Sequence, residues 1–392
     1  MVARLRSYAV ARQTTERLRN RATVSWYNSR SLKRILHLIV IVAITILFLW
    51  LFLKNANMRD VGTILRSTSY WWVAAGFATN ILALVFRTIR WRNIIDPDHP
   101  PSFYDTFFAN AVGYMLSTVL PVRAGDVARP ALLSRRTSHR FAGILGTVLT
   151  ERVLDLTTIL LLFVYYALYR WKDLSHDAHV GRWLEIVRLG AIGSATILVV
   201  LWFFILGLYF YRPFIRRMHE GLGRIVPRRF RDAWMHFFDT FAATTEIAHH
   251  PVALIKIILC TLGVWACLTS QFWVGTEAVH HSLPYDASFL VTGITTVGMA
   301  IPTPGGIGGF HKTCQFVLTR FYDFDVDSSV AIAVLFHIIG TFPIIAVGLI
   351  LFIKEGLRWK DVTRGGDEGR GQKAEGRSGD DENAERRAHN EE

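Results

Sequence analysis

Long apolar runs separated by short charged loops dominate the chain. Runs long enough to span a membrane are Ile35–Leu53, Tyr70–Ile89, Phe141–Tyr169, Leu189–Tyr211, Val252–Val279 and Ser329–Ile353. Each approaches or exceeds the roughly 20 residues that a hydrocarbon core of about 30 Å requires. Between them lie two irregular segments. Ser102–Leu120 is apolar but breaks at Pro121 into an Arg-containing stretch, and Ser288–Ile301 is shorter and breaks at Pro302-Thr303-Pro304-Gly305-Gly306. Short, Gly/Pro-interrupted apolar segments at corresponding positions of two halves point to a transporter-like site.

Loop charges orient these elements, because Lys and Arg collect on the cytoplasmic side. Arg87, Arg90 and Arg92 follow the second run, and Arg135, Arg136 and Arg140 follow the first irregular segment. The same side before and after means that this segment enters and returns. The second irregular segment leads to Asp323, Asp325 and Asp327 with no base among them, so it returns to the outer side. The fold expected is all-α and polytopic: about six spanning helices plus two re-entrant hairpins in an inverted-topology repeat. Both termini and the basic stretch Arg212–Arg231 are expected in the cytoplasm, and the site of residence is the inner membrane. Eight plain crossings would put Arg123, Arg129, Arg135 and Arg136 outside, against the positive-inside rule.

Composition agrees. The chain of 392 residues is 51% hydrophobic and only 19% charged, and its mean hydropathy is +0.29. That excludes a soluble Rossmann, barrel or sandwich protein. The formal net charge of +13 is read through the membrane rule, and nucleic acid is not an expected partner. Three domains follow: a basic cytoplasmic segment over 1–34, a transmembrane domain over 35–355, and a charged tail over 356–392 too poor in apolar residues to order itself. Cys260, Cys267 and Cys314 have neither disulfide-framework nor zinc spacing, so no metal or cofactor is expected.

Three constellations carry candidate chemistry. The first is Pro121-Val122-Arg123-Ala124-Gly125-Asp126-Val127-Ala128-Arg129-Pro130. At membrane depth an unpaired Arg costs at least about 2.5–3.5 kcal/mol, and guanidinium is the side chain that grips phosphate in bidentate fashion. Arg123 and Arg129 with Gly125 and Asp126 therefore read as a lipid-phosphate site; a basic anchor snorkelling to the interface fits the same residues. The second is Glu151-Arg152 with Asp155 inside an apolar run. It reads either as an intramembrane functional network or as ion pairs locking this helix to Arg123 or Arg129. The third is the turn Pro302–Gly309 followed by Phe310-His311-Lys312. Gly305, Gly306, Gly308 and His311 there offer backbone amides and an imidazole to an anionic group, without the GK[ST] of a nucleotide loop. His337 stands inside the last run.

In this order and spacing, the PxRAGDxxR turn, the ERxxD span and the PTPGGIGG turn resemble the lysylphosphatidylglycerol synthase transmembrane region. This is the flippase-like family of the multiple peptide resistance factors and their stand-alone relatives, and the resemblance covers about residues 35–355. It implies a helical domain that moves or accommodates phospholipids or lipid-linked headgroups across the bacterial cytoplasmic membrane. The chain departs from the family pattern at Ser117, where Asn is usual, at Asp126, where Glu is favoured, and at His311, where Glu is common. The tail has no room for an aminoacyl-transfer domain, so lipid aminoacylation, and enzymatic activity generally, is not expected. The expected function is to bind and translocate an anionic phospholipid or a polyprenyl phosphate. The alternative is a non-transporting membrane partner of a polyprenyl-phosphate glycosyltransferase or another envelope-lipid enzyme. A second copy of the chain or such an enzyme is the protein partner to consider.

Overall fold

The computed structural model describes residues 39–120, 124–169, 181–210, 250–299, 301 and 303–357. All regular structure among them is helical. In chain order the helices are α1 (Ile39–Leu53), α2 (Met58–Arg66), α3 (Tyr70–Ile95), α4 (Phe103–Val119), α5 (Gly125–Ser134), α6 (Phe141–Tyr169), α7 (Gly181–Phe210), α8 (Pro251–Ala278), α9 (Ala287–Gly298), α10 (Gly309–Phe321) and α11 (Val326–Lys354). Among the described residues, α3, α8 and α11 are long and apolar enough to cross a membrane, and α1 with α2 makes a fourth if that pair, bent by 82°, is one span. Helix α6 is as long as α11 but carries Glu151, Arg152 and Asp155 in its apolar length. Arg123, the basic 1–34 segment, the Arg212–Arg231 stretch and the tail from Arg358 lie outside the described residues.

The frame is built on α3, α8 and α11. Helices α3 and α8 run antiparallel: Ser69 N–H donates to the Ala278 carbonyl at 2.8 Å at one end, Trp72 meets Trp273 edge-on, and Ile94 packs with Ile257 at the other. Helix α11 runs parallel to α3, joined where Asn80 Nδ2 donates to the Gly340 carbonyl at 3.0 Å. Gly76 permits that approach, since a methyl there would stand 2.9 Å from Ile339. Ser102 and Asp325 cap α4 and α11 through their side-chain oxygens, satisfying amides that a helix start leaves free.

Two pairs of shorter helices fill the frame from opposite ends of α11. In the first pair, α4 and α5 run antiparallel: Asp105 meets Arg136 at their open end and Gly113 meets Arg129 deeper in. Its open end is tied to the C-terminal end of α11 through Arg136–Glu355 and Tyr104 Oη–Glu355. In the second pair, α9 and α10 are also antiparallel, with the Tyr322 hydroxyl reaching the Ala287 carbonyl at the open end and Gly298 against Gly309 and Thr313 near the tip. That open end lies at the N-terminal end of α11, where Ala287, Leu318 and Val330 share one buried cluster. The tips of the two pairs touch: a methyl on Gly305 would stand 3.0 Å from the Thr118 carbonyl.

Candidate functional site

Where the tips approach, the α4–α5 pair is bonded to α3 and α6 by a buried polar network. Close packing of small residues brings these elements together. A Cβ on Gly125 would lie 1.8 Å from the Gly113 carbonyl oxygen, and one on Gly113 would lie 1.9 Å from Arg129 Cγ. Only glycine lets α4 and α5 meet this closely, with the Arg129 stem laid across Gly113. The side chain of Arg129 is then wholly buried and has four polar partners. It donates to Asn110 Oδ1 at 3.0 Å and to the Tyr114 hydroxyl at 3.1 Å, lies 3.1 Å from Glu151 Oε2, and sits 3.6 Å from Asp126.

Glu151 is equally buried and lies between two guanidiniums, Arg129 of α5 and Arg90 of α3, the latter at 3.3 Å. Arg90 also donates to Asp155 at 2.7 Å. Arg152 reaches back to Asp126 at 3.1 Å and stands 3.7 Å from Asp155. Helices α3, α5 and α6 are thus cross-linked by one ion network. Taking such charges out of water costs several kcal/mol each, and the structure tolerates it because each carboxylate here faces more than one guanidinium. Trp91, buried beside it, donates its indole N–H to Thr147 at 2.9 Å and offers its ring to Arg129. Arg87, a turn before Arg90, stacks on Tyr114 at 4.7 Å from the ring centre, the distance at which Arg129 approaches the same ring.

Four guanidiniums, from Arg87, Arg90, Arg129 and Arg152, therefore gather around three carboxylates, from Asp126, Glu151 and Asp155. One positive charge is in excess. Nε of Arg87, Arg90, Arg129 and Arg152 and Nη2 of Arg129 are buried donors without a hydrogen-bond partner, and so are the hydroxyls of Ser117 and Thr303, one at each tip. Buried donors around a cationic excess suit an anionic oxygen-rich group.

The sequence brought several of these residues forward, and the structure relocates some. Pairing of the α6 carboxylates with Arg129 is present, and Asp126 joins the same network. Gly125, Asp126 and Arg129, expected in a turn, lie in α5, a helix that accommodates Pro130. Arg87, Arg90 and Arg92, read as charges at the end of a span reaching Ile89, all lie inside α3, which continues to Ile95. The physical reason is that α6 supplies Arg90 with two carboxylates, so the helix has no need to end at that charge. Asn110 and Tyr114 were not singled out, and Arg87 and Arg90 were read for topology rather than as site residues. For Arg90 a signal existed: Trp91, Ile94 and Ile95 continue the apolar spacing beyond it.

The second turn forms as a 3₁₀ turn over Pro304–Gly306 with Gly305, Gly306 and Gly308 at φ of 61°, 73° and 90°. Such values favour glycine, and at Gly308 a side chain would also meet Phe48 at 2.8 Å. His311, expected to face an anion from this turn, lies in α10. Its Nδ1 accepts the Gly308 N–H at 3.4 Å, and its ring packs on Phe52, Phe310 and His337. These contacts hold the turn against α1 and α11. The three cysteines are buried thiols in α8 and α10.

No curated protein matches the chain. The family model described as the lysylphosphatidylglycerol synthase TM region matches residues 38–348, from α1 into α11 and including both helix pairs and the whole ion network. This is a membrane protein tied to lipid metabolism, and the chain belongs to the lysylphosphatidylglycerol synthase TM region family.

Proposed function

We propose that this protein binds an anionic phospholipid or lipid-linked headgroup and moves it across the bacterial cytoplasmic membrane, without catalysing a chemical step. The observation that carries the reading is the cationic excess in the polar network near the touching tips. Two short helix pairs entering from opposite ends leave non-helical backbone and free donors inside the bundle. In a bilayer such groups are tolerated where they are enclosed by protein or line a watery cavity.

Helix lengths support re-entry. At 1.5 Å per residue the 17 residues of α4 extend about 25 Å and the 12 of α9 about 18 Å. Both fall short of a core of about 30 Å, whereas α11 with 29 residues extends about 43 Å. The α4–α5 and α9–α10 pairs are then the two re-entrant hairpins of an inverted repeat. The end of the bundle that carries Arg92, Arg135, Arg136, Arg140 and Lys354 faces the cytoplasm, and the end with Asp323, Asp325 and Asp327 faces outward. A lipid phosphate at the midplane would be held by the excess charge while its acyl chains stay in the hydrocarbon beside the bundle.

Reconstitution tests this. Purified protein in liposomes should accelerate transbilayer movement of a fluorescent phosphatidylglycerol over protein-free vesicles. Binding of the lipid without any acceleration would instead fit the membrane-partner function.

A further inference from the structure

The four guanidiniums of the central network have unequal partners. Arg90 and Arg129 each contact two carboxylates at 3.6 Å or less, and Arg152 donates to Asp126 at 3.1 Å. All three are committed to joining helices. Arg87 differs. Among the described residues no carboxylate lies within ion-pair range of it; like Arg90, Arg129 and Arg152 it has a buried Nε without a hydrogen-bond partner, and its guanidinium lies over the Tyr114 ring at 4.7 Å. The side chain is half-buried, and a guanidinium without a carboxylate partner is costly in a membrane. Stacking on an aromatic ring returns only about 0.5–2 kcal/mol of that cost. The same ring is held in place by Arg129, whose Nη1 donates to the Tyr114 hydroxyl at 3.1 Å. Tyr114 thereby backs the Arg87 guanidinium, whose N–H groups make no hydrogen bond among the described residues, and a guanidinium left so suits a bidentate phosphate.

Resting on the translocase reading above, we propose that Arg87 is the residue that contacts the lipid phosphate, that Tyr114 orients it, and that Arg90 and Arg129 are structural. This reverses the weight that the sequence gave to Arg129. It also separates stability from binding: removing Arg87 breaks no ion pair, whereas removing Arg129 orphans part of a buried one.

The test compares Arg87→Ala, Arg87→Gln and Arg87→Lys with the wild type, full-length and purified. Binding of fluorescent phosphatidylglycerol is titrated against phosphatidylcholine as the uncharged control, and thermal unfolding is recorded alongside. The expected result is at least about a tenfold loss of phosphatidylglycerol affinity in Arg87→Ala and Arg87→Gln. Partial recovery is expected in Arg87→Lys, which keeps the charge without the fork, and unfolding temperatures should stay close to wild type. Tyr114→Phe should leave Arg87 stacked and keep most of the affinity; Tyr114→Ala should lose it. Wild-type affinity in folded Arg87→Gln would overturn the assignment, as would the absence of any phosphatidylglycerol preference in the wild type. Binding is read apart from transport, so a wild type that binds without scrambling refutes the translocase reading while the Arg87 comparison still stands.

Discussion

Glu151 is the residue on which the ion network turns, and Glu151→Gln is the perturbation that reads it. The substitution keeps the shape and removes one negative charge. Arg90 retains Asp155 at 2.7 Å, so its loss is limited. Arg129 retains only Asp126, at 3.6 Å, together with hydrogen bonds to Asn110 and Tyr114. Breaking a buried pair by removing one partner costs about 3–5 kcal/mol, and the contacts that survive place this case near the lower end, about 3 kcal/mol. At roughly 2 °C per kcal/mol for a large domain, the unfolding midpoint should fall by about 6 °C. Arg129→Met alone leaves Glu151 still paired with Arg90 at 3.3 Å and should cost less than Glu151→Gln. The double variant should be more stable than the two single losses added together predict, by at least about 1 kcal/mol, because no guanidinium at 129 is left to strand. Tryptophan fluorescence on heating in one detergent, for all four proteins, measures the cycle. Strict additivity would mean that the two side chains do not act as a pair. A polarity swap between the two positions is not expected to rescue fully, since the guanidinium placed at 151 would face Arg90.

Other outcomes follow from the same geometry. Gly113→Ala and Gly125→Ala each set a methyl under 2 Å from neighbouring atoms, and should splay the α4–α5 pair and sharply lower folded yield in size-exclusion profiles. Glu355 accepts from the Tyr104 hydroxyl and pairs with Arg136, which holds its carboxyl below the usual 4.5. A depressed carboxyl contributes stability above its unfolded pKa and loses it as pH falls through the folded value. Unfolding midpoints should therefore drop on acidification below about pH 4.5, less steeply in Glu355→Gln. Under the proposed orientation, Ser282→Cys should react with an impermeant maleimide from outside intact cells and Ser138→Cys only after permeabilisation; the reverse pattern would invert the topology. Native Cys260, Cys267 and Cys314 are buried and should stay quiet.

Much of this fold can be read from periodicity and punctuation, because in a membrane apolar length alone defines a helix. The run Phe141–Tyr169 is α6 with the same bounds, and Val252–Val279 differs from α8 by one residue at each end. Reading fails where a partner elsewhere in the chain decides. Tyr70–Ile89 looked finished at its first arginines, but Glu151 and Asp155, some sixty residues on, neutralise Arg90 and let α3 continue. Helix α2 escapes notice because its nine residues are a polar-faced surface turn with only Val61 buried. Helix α10 hides behind the glycine turn, since nothing local says that Gly309 begins a helix rather than ending a loop. The site was half legible. An intramembrane Glu and Asp announce themselves by their rarity, whereas the importance of Asn110 and Tyr114 appears only once α4 and α5 are folded together. His311 was visible, but its neighbours, aromatic rings and another imidazole, appear only in the fold.

Under the proposed function an anionic lipid moves through the region where the two tips meet. The most direct measurement of this movement is dithionite bleaching of headgroup-labelled phosphatidylglycerol in proteoliposomes, comparing wild type with a variant that closes the contact between the tips. Disulfide formation between cysteines introduced at Thr118 and Gly305 provides that variant, because these residues touch across the tips. Bleaching should exceed the outer-leaflet fraction for the wild type, fall away on oxidation of the double-cysteine protein, and return on reduction. Equal bleaching before and after verified cross-linking, or bleaching no greater than in empty vesicles, would contradict the proposed function.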